Sequence, residues 1–571
     1  MPDRFVRVVP LARTPVGVES FDYRLPDGMF LRVGDVIRVP LRQQRVEAVV
    51  AALLDTSPFA SKAREIETQA PLTHLGESWI ALLQWLSART FQSQPTIAKA
   101  WLRLLPKKLT PWTTQIPKRL VPGDVHTHWV VDPEQHLLAE ARKPHEGRRL
   151  ILTPFAQQAE RLAQTLQAPV LLSDDPKTTA TRTWIEFLEG QTPILVSTRI
   201  GAWLGLYADT ILLLEPENDD HKQDDATPRF DTRLVAAWLH QQTYVSLHTF
   251  GRTPPLHVQR DAANIPLYPK LCLKQWAGKS PVPGIGLDAL EAFLEPTDRP
   301  RVLIHPIRGL RARAQCRVCH ELVSCAVCGT GLRRRPQDAW CDLCKKASLL
   351  PEACTRCGGQ DFTGSSAGIE LIKQAWAREE HPDTEWRTGS PLELDTPFPL
   401  NARVLVTEPA LIGGGSEDVR RGEKLCRAYR ALAAQVAQAS GELILQVAPD
   451  DTERWIAWLT PEGVRASAQE ERRSRSVFRY PPSVRLVKLL IEGTEAEAAR
   501  LTDRLTRTTT KHPLFLSLRG PFLAEGRPKT KPRYVLHALF QPSVTESALI
   551  AFFATYAQDA IIDLDPIAFL R

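Results

Sequence analysis

Eight of the ten cysteines in this chain lie between Cys316 and Cys357, as four C-x-x-C pairs: Cys316/Cys319, Cys325/Cys328, Cys341/Cys344 and Cys354/Cys357. A C-x-x-C turn brings two thiolates to the separation that tetrahedral Zn²⁺ needs, and a structural site takes two such turns. Four turns therefore predict two Zn²⁺ ions. Spacing alone leaves three ways of pairing the turns. A disulfide framework belongs to oxidising compartments, and the ferredoxin spacings of iron–sulfur proteins are different. A segment this short cannot build its own core, so the metal would supply its folding energy. Cys272 and Cys426 stand alone and read as ordinary buried residues.

The same stretch concentrates charge. Residues 301–350 carry ten Lys/Arg against three acids, a net +7 that equals the formal charge of all 571 residues. Eight thiolates and two zinc ions would cancel more than half of that excess. The stretch thus reads as a zinc-built platform with basic rims, and any charge facing a polyanion must be shared with other domains. With 43% hydrophobic and 24% charged residues, the chain is globular rather than disordered, collagenous or coiled-coil. The length predicts about four domains. No apolar run approaches the ~18 residues of a membrane span. Charge inside the first residues argues against a secretory signal. The expectation is a cytoplasmic protein with no membrane partner.

Residues 4–55 read as short β-branched strands around the turn Pro26-Asp-Gly28, which predicts a small β-barrel. Apolar positions at helical spacing (Trp79, Leu82, Leu83, Leu86) predict a helix over 77–105. From 125 to 262, strands beginning at Leu150, Pro169, Ile194 and Thr210 alternate with helices 156–166, 180–189 and 231–241, the pattern of a parallel sheet. A second α/β stretch follows the cysteines, with helices 368–378 and 419–440 and strands at Arg403 and Glu442. The last 90 residues read strand, helix, strand, strand, helix, strand, the split βαβ of ferredoxin-like domains.

The phosphate-binding loop G-x-x-x-x-G-K-[ST] of nucleic-acid motors is missing. Gly278-Lys279-Ser280 lacks the upstream glycine and is followed by Pro281 and Pro283. Gly413-Gly-Gly415 has no following lysine and reads as a flexible loop. The acidic stretch Glu215 to Asp231 reads as a solvated loop rather than a metal site.

These features together resemble the primosomal protein N′ family, the PriA replication-restart helicases. The four C-x-x-C pairs have that family's spacing. Phe21-Asp22-Tyr23, Leu25-Pro26-Asp27-Gly28 and Arg38-Val39-Pro40 are similar to its 3′-end-binding domain. Lys222-Gln223 with Pro228-Arg229-Phe230 resembles the segment after the helicase acidic motif. Glu471-Arg472-Arg473, Arg479-Tyr480-Pro481-Pro482, Gly520-Pro521 and Arg533-Tyr534 resemble its C-terminal region.

The resemblance implies a nested zinc pairing, Cys316, Cys319, Cys354 and Cys357 on one ion and Cys325, Cys328, Cys341 and Cys344 on the other. It implies that Phe21 and Tyr23 pack on the terminal nucleotide of a nascent strand, that Asp22 accepts a hydrogen bond from its 3′-hydroxyl, and that Arg64 is the pocket's basic residue. Arg42 stands where the family usually has glycine. Arg472, Arg473, Arg479, Arg527, Lys529, Lys531 and Arg533 are the expected phosphate contacts. The implied architecture is a multidomain α/β chain: a 3′-end DNA-binding domain (1–108), degenerate RecA-like helicase lobe 1 (109–262), a connector and the start of lobe 2 (263–313), an inserted double-zinc module (314–360), degenerate lobe 2 (361–465) and a ferredoxin-like C-terminal domain (466–571). The stretch between the first domain and lobe 1 is too short for the family's winged helix.

The helicase chemistry departs from the family. Thr127-His-Trp-Val-Val-Asp-Pro-Glu stands where its phosphate loop falls. Leu214 replaces the magnesium-binding Asp, and Gln435-Val-Ala-Gln-Ala-Ser-Gly-Glu442 lacks the finger arginines. Each part normally contributes orders of magnitude to phosphoryl transfer. The expectation is a degenerate helicase that is not an enzyme, with no ATP as cofactor. It would bind stalled forks and single-stranded DNA and promote primosome assembly and replicative helicase loading. Its partners would be other primosome proteins, the replicative helicase or its loader, and single-stranded DNA-binding protein. The alternatives are an active ATP-dependent 3′–5′ helicase with a divergent nucleotide site, and a zinc-ribbon RNA-binding protein.

Overall fold

The computed structural model describes the chain apart from residues 1–4, 16, 67–69, 106–110, 120, 145–146, 225, 255–269, 276–279, 308–313, 317, 320, 327–330, 335–337, 342–345, 365–366, 395, 413–418, 449–450, 525–531 and 568–571. It divides into two compact units, Met1–Gly251 and Arg252–Arg571.

The first unit opens with β1 (Phe5–Pro10), β2 (Phe21–Arg24), β3 (Asp35–Leu41), β4 (Gln44–Leu54) and β5 (Thr73–His74). They form an antiparallel sheet in the order β2-β1-β4-β3-β5. β2 and β5 are the outermost strands of that order, and Glu65, on the segment that leads toward β5, bridges to Arg24 of β2 in parallel. Residues alternate between two buried faces, as strand geometry requires. Val8, Ile37 and Val50 pack with Tyr23 on one face. Val9, Val36 and Val49 pack on the other against the helices that follow.

Those helices are α1 (Glu77–Thr90) and α2 (Gln94–Trp101). The single helix expected over 77–105 is split because Phe91 takes φ +54° and ends α1. Pro95, tolerated in a first turn, then starts α2. Next come β6 (Val125–Trp129), α3 (Pro133–Ala141), β7 (Arg149–Leu152), α4 (Ala156–Leu166), β8 (Val170–Leu171), α5 (Lys177–Leu188), β9 (Ile194–Ser197), β10 (Thr210–Leu214), β11 (Lys222–Gln223), β12 (Phe230–Asp231), α6 (Thr232–Thr243) and β13 (Ser246–Gly251). Six of these strands form a wholly parallel sheet, β6-β13-β10-β7-β9-β8. Its central strands read as apolar runs because helices bury both faces. Trp79, Trp101 and Trp203 lie in the core that joins this sheet to the first one. Tyr207 fixes the junction by donating to the Leu75 carbonyl at 3.0 Å.

The stretch from Glu215 to Asp231 is not the solvated loop expected. Glu215, Glu217 and His221 are buried. Asp231 caps α6 through the Arg233 amide and pairs with the Arg233 guanidinium at 2.6 Å.

The second unit carries β14 (Lys270–Gln275), α7 (Leu287–Leu294), β15 (Arg301–Ile304), the short strands β16 (Ala314–Cys316), β17 (Arg333–Arg334), β18 (Ala339–Cys341), β19 (Lys346–Ser348) and β20 (Phe362–Gly364), then α8 (Ile369–Arg378), β21 (Glu385–Arg387), α9 (Pro391–Leu394), β22 (Arg403–Val406), α10 (Arg421–Gln438), β23 (Glu442–Val447), α11 (Thr452–Ala457) and α12 (Pro461–Phe478). A five-stranded parallel sheet, β14-β23-β22-β15-β21, is interrupted in sequence between β15 and α8 by the cysteine segment. The chain ends in β24 (Arg485–Glu492), α13 (Glu495–Thr509), β25 (Phe515–Leu523), β26 (Arg533–Phe540), α14 (Glu546–Phe553) and β27 (Ile561–Asp563). These strands form an antiparallel sheet in the order β25-β26-β24-β27. Thr494 and Glu497 start α13 with a reciprocal capping box. Among the described residues, no helix is long and apolar enough to cross a membrane.

Candidate nucleic-acid interface and metal centre

The edge strand β2 pairs antiparallel with β1, which sets Arg7 opposite Asp22. Arg7 Nε donates to Asp22 Oδ1 at 2.8 Å and Nη2 to Oδ2 at 3.1 Å. Ser57 Oγ donates to the same Oδ2 at 2.7 Å. The Arg7 hydrogen bonds, with Ser57 and the Arg7 charge behind them, hold the Asp22 carboxyl below the usual carboxylate range. The Asp22 side chain is 2% exposed and Arg7 39%. A carboxylate accepts about four hydrogen bonds, so the three seen here leave room for one more donor.

Residues 64–66 run along the free edge of β2. The Arg24 amide donates to the Arg64 carbonyl at 2.8 Å, and the Ile66 amide to the Arg24 carbonyl at 3.2 Å. This brings the exposed Arg64 beside Phe21-Asp22-Tyr23. Arg64 Nη1 donates to the Arg42 carbonyl at 3.0 Å. Arg42 itself takes φ +55°, the left-handed region that favours glycine, at the β3–β4 turn. Phe21 is half-buried at the rim of the sheet's core. Tyr23 is not open to a nucleotide: it is 4% exposed, and its hydroxyl donates to the Pro40 carbonyl at 2.9 Å. Strand alternation turns it inward; Phe21 shares that face but is only half-buried at its rim, which leaves Phe21 as the accessible aromatic. Arg7 and Ser57 were not legible in the sequence, because both depend on register and loop path. A charged residue inside β1 was the one available hint.

In the second unit, Cys316, Cys319, Cys354 and Cys357 come together with all four sulfurs within 4.8 Å of one another. Cys316 and Cys357 sulfurs are 3.6 Å apart, and those of Cys319 and Cys354 3.5 Å. Sulfurs on one tetrahedral zinc, each about 2.3 Å from the ion, sit about 3.8 Å apart. The donor set and its spacing fit a Cys₄ metal ion. The β16–β20 pairing places Cys316 opposite Phe362 and so closes the two distant turns on each other. The amides of Cys357 and Arg356 point at the Cys354 sulfur and lower its thiol to about 7. Gly359 lies where an added Cβ would meet the sulfurs of Cys316 and Cys357 at 3.3 and 3.4 Å. Arg356 and Glu321 bridge the two turns at 3.0 Å. Cys325 and Cys341 are buried in a small cluster with Leu332 and Ala339, whereas Cys328 and Cys344 lie outside the described residues. Cys426 is buried and Cys272 half-buried.

Of the expected phosphate contacts, Arg473 and Arg479 are exposed on and just after α12, and Arg472 is half-buried. Arg533 is paired with Glu492 at 2.6 Å. Arg527, Lys529 and Lys531 lie outside the described residues. Arg475, unmarked in the sequence, is buried and ties α12 to Glu423 of α10 at 3.0 Å.

At the end of β6, where a phosphate loop was sought, Asp132 caps α3 by accepting from the Gln135 amide at 3.0 Å. Pro133 occupies the first turn, and Glu134 pairs with Arg161 at 2.6 Å. Leu214 ends β10 fully buried. Gln435–Glu442 spans the end of α10 and the start of β23.

The family model described as the 3′DNA-binding domain (3′BD) of PriA matches residues 8–103. The chain is similar to "Replication restart protein PriA" of Thermotoga maritima, 26% identical over 34% of this chain and 28% of that protein. It is also similar to the proteins of that name from Synechocystis (24%, over 36% and 28%) and Haemophilus influenzae (22%, over 58% and 52%). The matches thus span from about a quarter to about half of those relatives' length. A 3′DNA-binding domain match over the first sheet and its helices, together with relatives that share one name, supports membership of the PriA family at low identity.

Proposed function

We propose that this chain is a replication-restart protein that binds stalled forks, holds the 3′ end of the nascent leading strand, and promotes primosome assembly and reloading of the replicative helicase without hydrolysing ATP. The observation that carries the reading is that the 3′DNA-binding domain match covers the sheet whose strand β2 carries Phe21 and Asp22 and runs beside Arg64. Phe21 offers an aromatic face to an unstacked base. Asp22 offers its remaining lone pair to a 3′-hydroxyl, and Arg64 an exposed charge to phosphate. In this reading Arg472, Arg473, Arg479, Arg527, Lys529, Lys531 and Arg533 contact the backbone, which gives affinity without base specificity.

The two parallel sheets are read as degenerate helicase lobes, the cysteine segment as a double-zinc module inserted in the second lobe, and the C-terminal sheet as a ferredoxin-like domain. Zinc would fix the fold of residues 314–360, with the second ion on Cys325, Cys328, Cys341 and Cys344. Primosome proteins, the helicase or its loader, and single-stranded DNA-binding protein are the proposed partners.

The absence of ATP chemistry rests on a physical argument. A helix N-terminus binds phosphate through free amides and its positive end. The α3 terminus offers an amide already taken by Asp132, a proline without N–H, and the carboxylate of Glu134. The competing reading, an ATP-dependent helicase with a divergent site, draws on the two intact parallel sheets. ATP hydrolysis by the zinc-loaded chain separates them. The proposal expects no stimulation by forked DNA together with salt-sensitive fork binding; DNA-stimulated turnover would sink the no-ATPase reading.

A further inference from the structure

A third group of metal-ligating side chains lies outside both sites. His126 and His128 are two residues apart on β6 and so share one face of the sheet. The parallel neighbour β13 sets His248 level with His126, and Phe250 level with His128. The His126 and His248 rings are 4.8 Å apart between centroids, and those of His126 and His128 6.2 Å. Helix α3 covers this face through Leu137 and Ala141 and delivers Glu140, whose Oε1 lies 3.6 Å from His248 Nδ1. The other oxygen, Oε2, accepts from Lys143 at 2.6 Å.

We propose that His126, His128, His248 and Glu140 form a binding site for one divalent transition-metal ion of the zinc, cobalt and nickel class. Imidazole and carboxylate are the ligands this class takes when thiolates are absent. Two imidazoles on one tetrahedral ion, each with nitrogen about 2.0–2.1 Å away, place their centroids about 5 Å apart. The His126–His248 separation lies close to that value, whereas His128, at 6.2 Å from His126, has to turn inward by about 1 Å to join the same ion. A nitrogen and an oxygen on one such ion sit about 3.4 Å apart, against the 3.6 Å between His248 and Glu140. Among the described residues only the cysteine sulfurs lie at ligand spacing as they stand, so the histidine site requires the His126 and His128 rings to rotate toward His248 and Glu140 before it can hold an ion. His126 is free to make that rotation, since it lies exposed on an edge strand. His128 stacks on Phe250 at 5.0 Å, and Lys143 keeps the Glu140 carboxylate oriented toward the rings. His136, nearby on α3, is engaged with the Asp132 carbonyl and stays outside the set. A bound ion would clamp β6 and α3, the two elements on either side of residues 130–132, onto β13.

The test uses the untagged full chain with its cysteine sites filled by Zn²⁺ and excess metal removed. Cobalt(II) is then titrated in, with uptake followed by calorimetry and visible absorption. The expected result is one further equivalent with the weak bands of nitrogen- and oxygen-bound cobalt. Losing a ligand should cost affinity at least on the order of the 10–100-fold seen when an outer-shell partner is removed. His126→Gln, at an exposed position, should show that loss, and Glu140→Gln a loss in the same direction. No further equivalent, uptake with thiolate charge-transfer bands alone, or uptake unchanged in both variants would overturn the proposal.

Discussion

Arg7 holds Asp22 by two hydrogen bonds, of 2.8 and 3.1 Å, across the first pair of strands. The pair does two things at once. It keeps a nearly buried carboxylate ionised, and in the proposed reading it holds that carboxylate in place for the 3′-hydroxyl. Arg7→Gln should therefore weaken fork binding through a residue that need not touch DNA. Hydrogen bonds to charged groups contribute about 1.5–3 kcal/mol, but Arg7 is 39% exposed and solvent screens it. The expected loss of stability is about 1 kcal/mol by urea unfolding. A stability loss with no change in DNA binding would separate Asp22 from the end site.

The metal centre predicts a stoichiometry. In the proposed reading the cysteine segment carries two zinc ions, and Cys354→Ser lowers the zinc content of the chain by one ion in elemental analysis. Proteolysis of that variant should open the cysteine segment and spare both parallel sheets. Zinc content unchanged in the variant would contradict the assignment.

Acid stability follows from His221. Burial lowers its imidazole to about 4, and its Nε2 lies 2.7 Å from the Leu214 carbonyl. An unfolded histidine titrates near 6.5, so between about pH 6.5 and 4 the unfolded state binds the extra proton and stability falls as pH falls. No stability is lost to this group above about pH 6.5, and about 3 kcal/mol is lost by the bottom of that window. NMR titration should find His221 neutral at pH 5; a protonated ring there would refute the assignment.

Backbone contacts predict a salt signature. Removing Arg473 or Arg479 should lower fork affinity evenly across sequences and reduce the slope of log affinity against log salt by about one each. A sequence-dependent loss would place these residues on bases instead.

What could be read from the sequence follows the range of the interactions. Helix α4 and strands β9 and β10 were legible because their patterns are local. The C-x-x-C turns were legible for the same reason, since the two cysteines of each pair sit in one turn. Phe91 ends α1 in a left-handed conformation that no glycine marks, whereas Pro95, at the start of α2, is the sequence mark that a helix over 77–105 must break. Tyr23 was misjudged for a register reason: an aromatic in a motif can face the core as readily as a ligand, and alternation along β2 decides which. Arg7 and Ser57 reach Asp22 from 15 and 35 residues away, and only the fold brings them there.

The most direct measurement compares two synthetic forks that differ only at the leading-strand end at the junction, one with a 3′-hydroxyl and one with a 3′-phosphate. A donor for the last lone pair of Asp22 exists on the first and not on the second. The account predicts tighter binding to the 3′-hydroxyl fork, with the difference abolished in Asp22→Asn. Equal affinity for the two forks, unchanged in the variant, would contradict it.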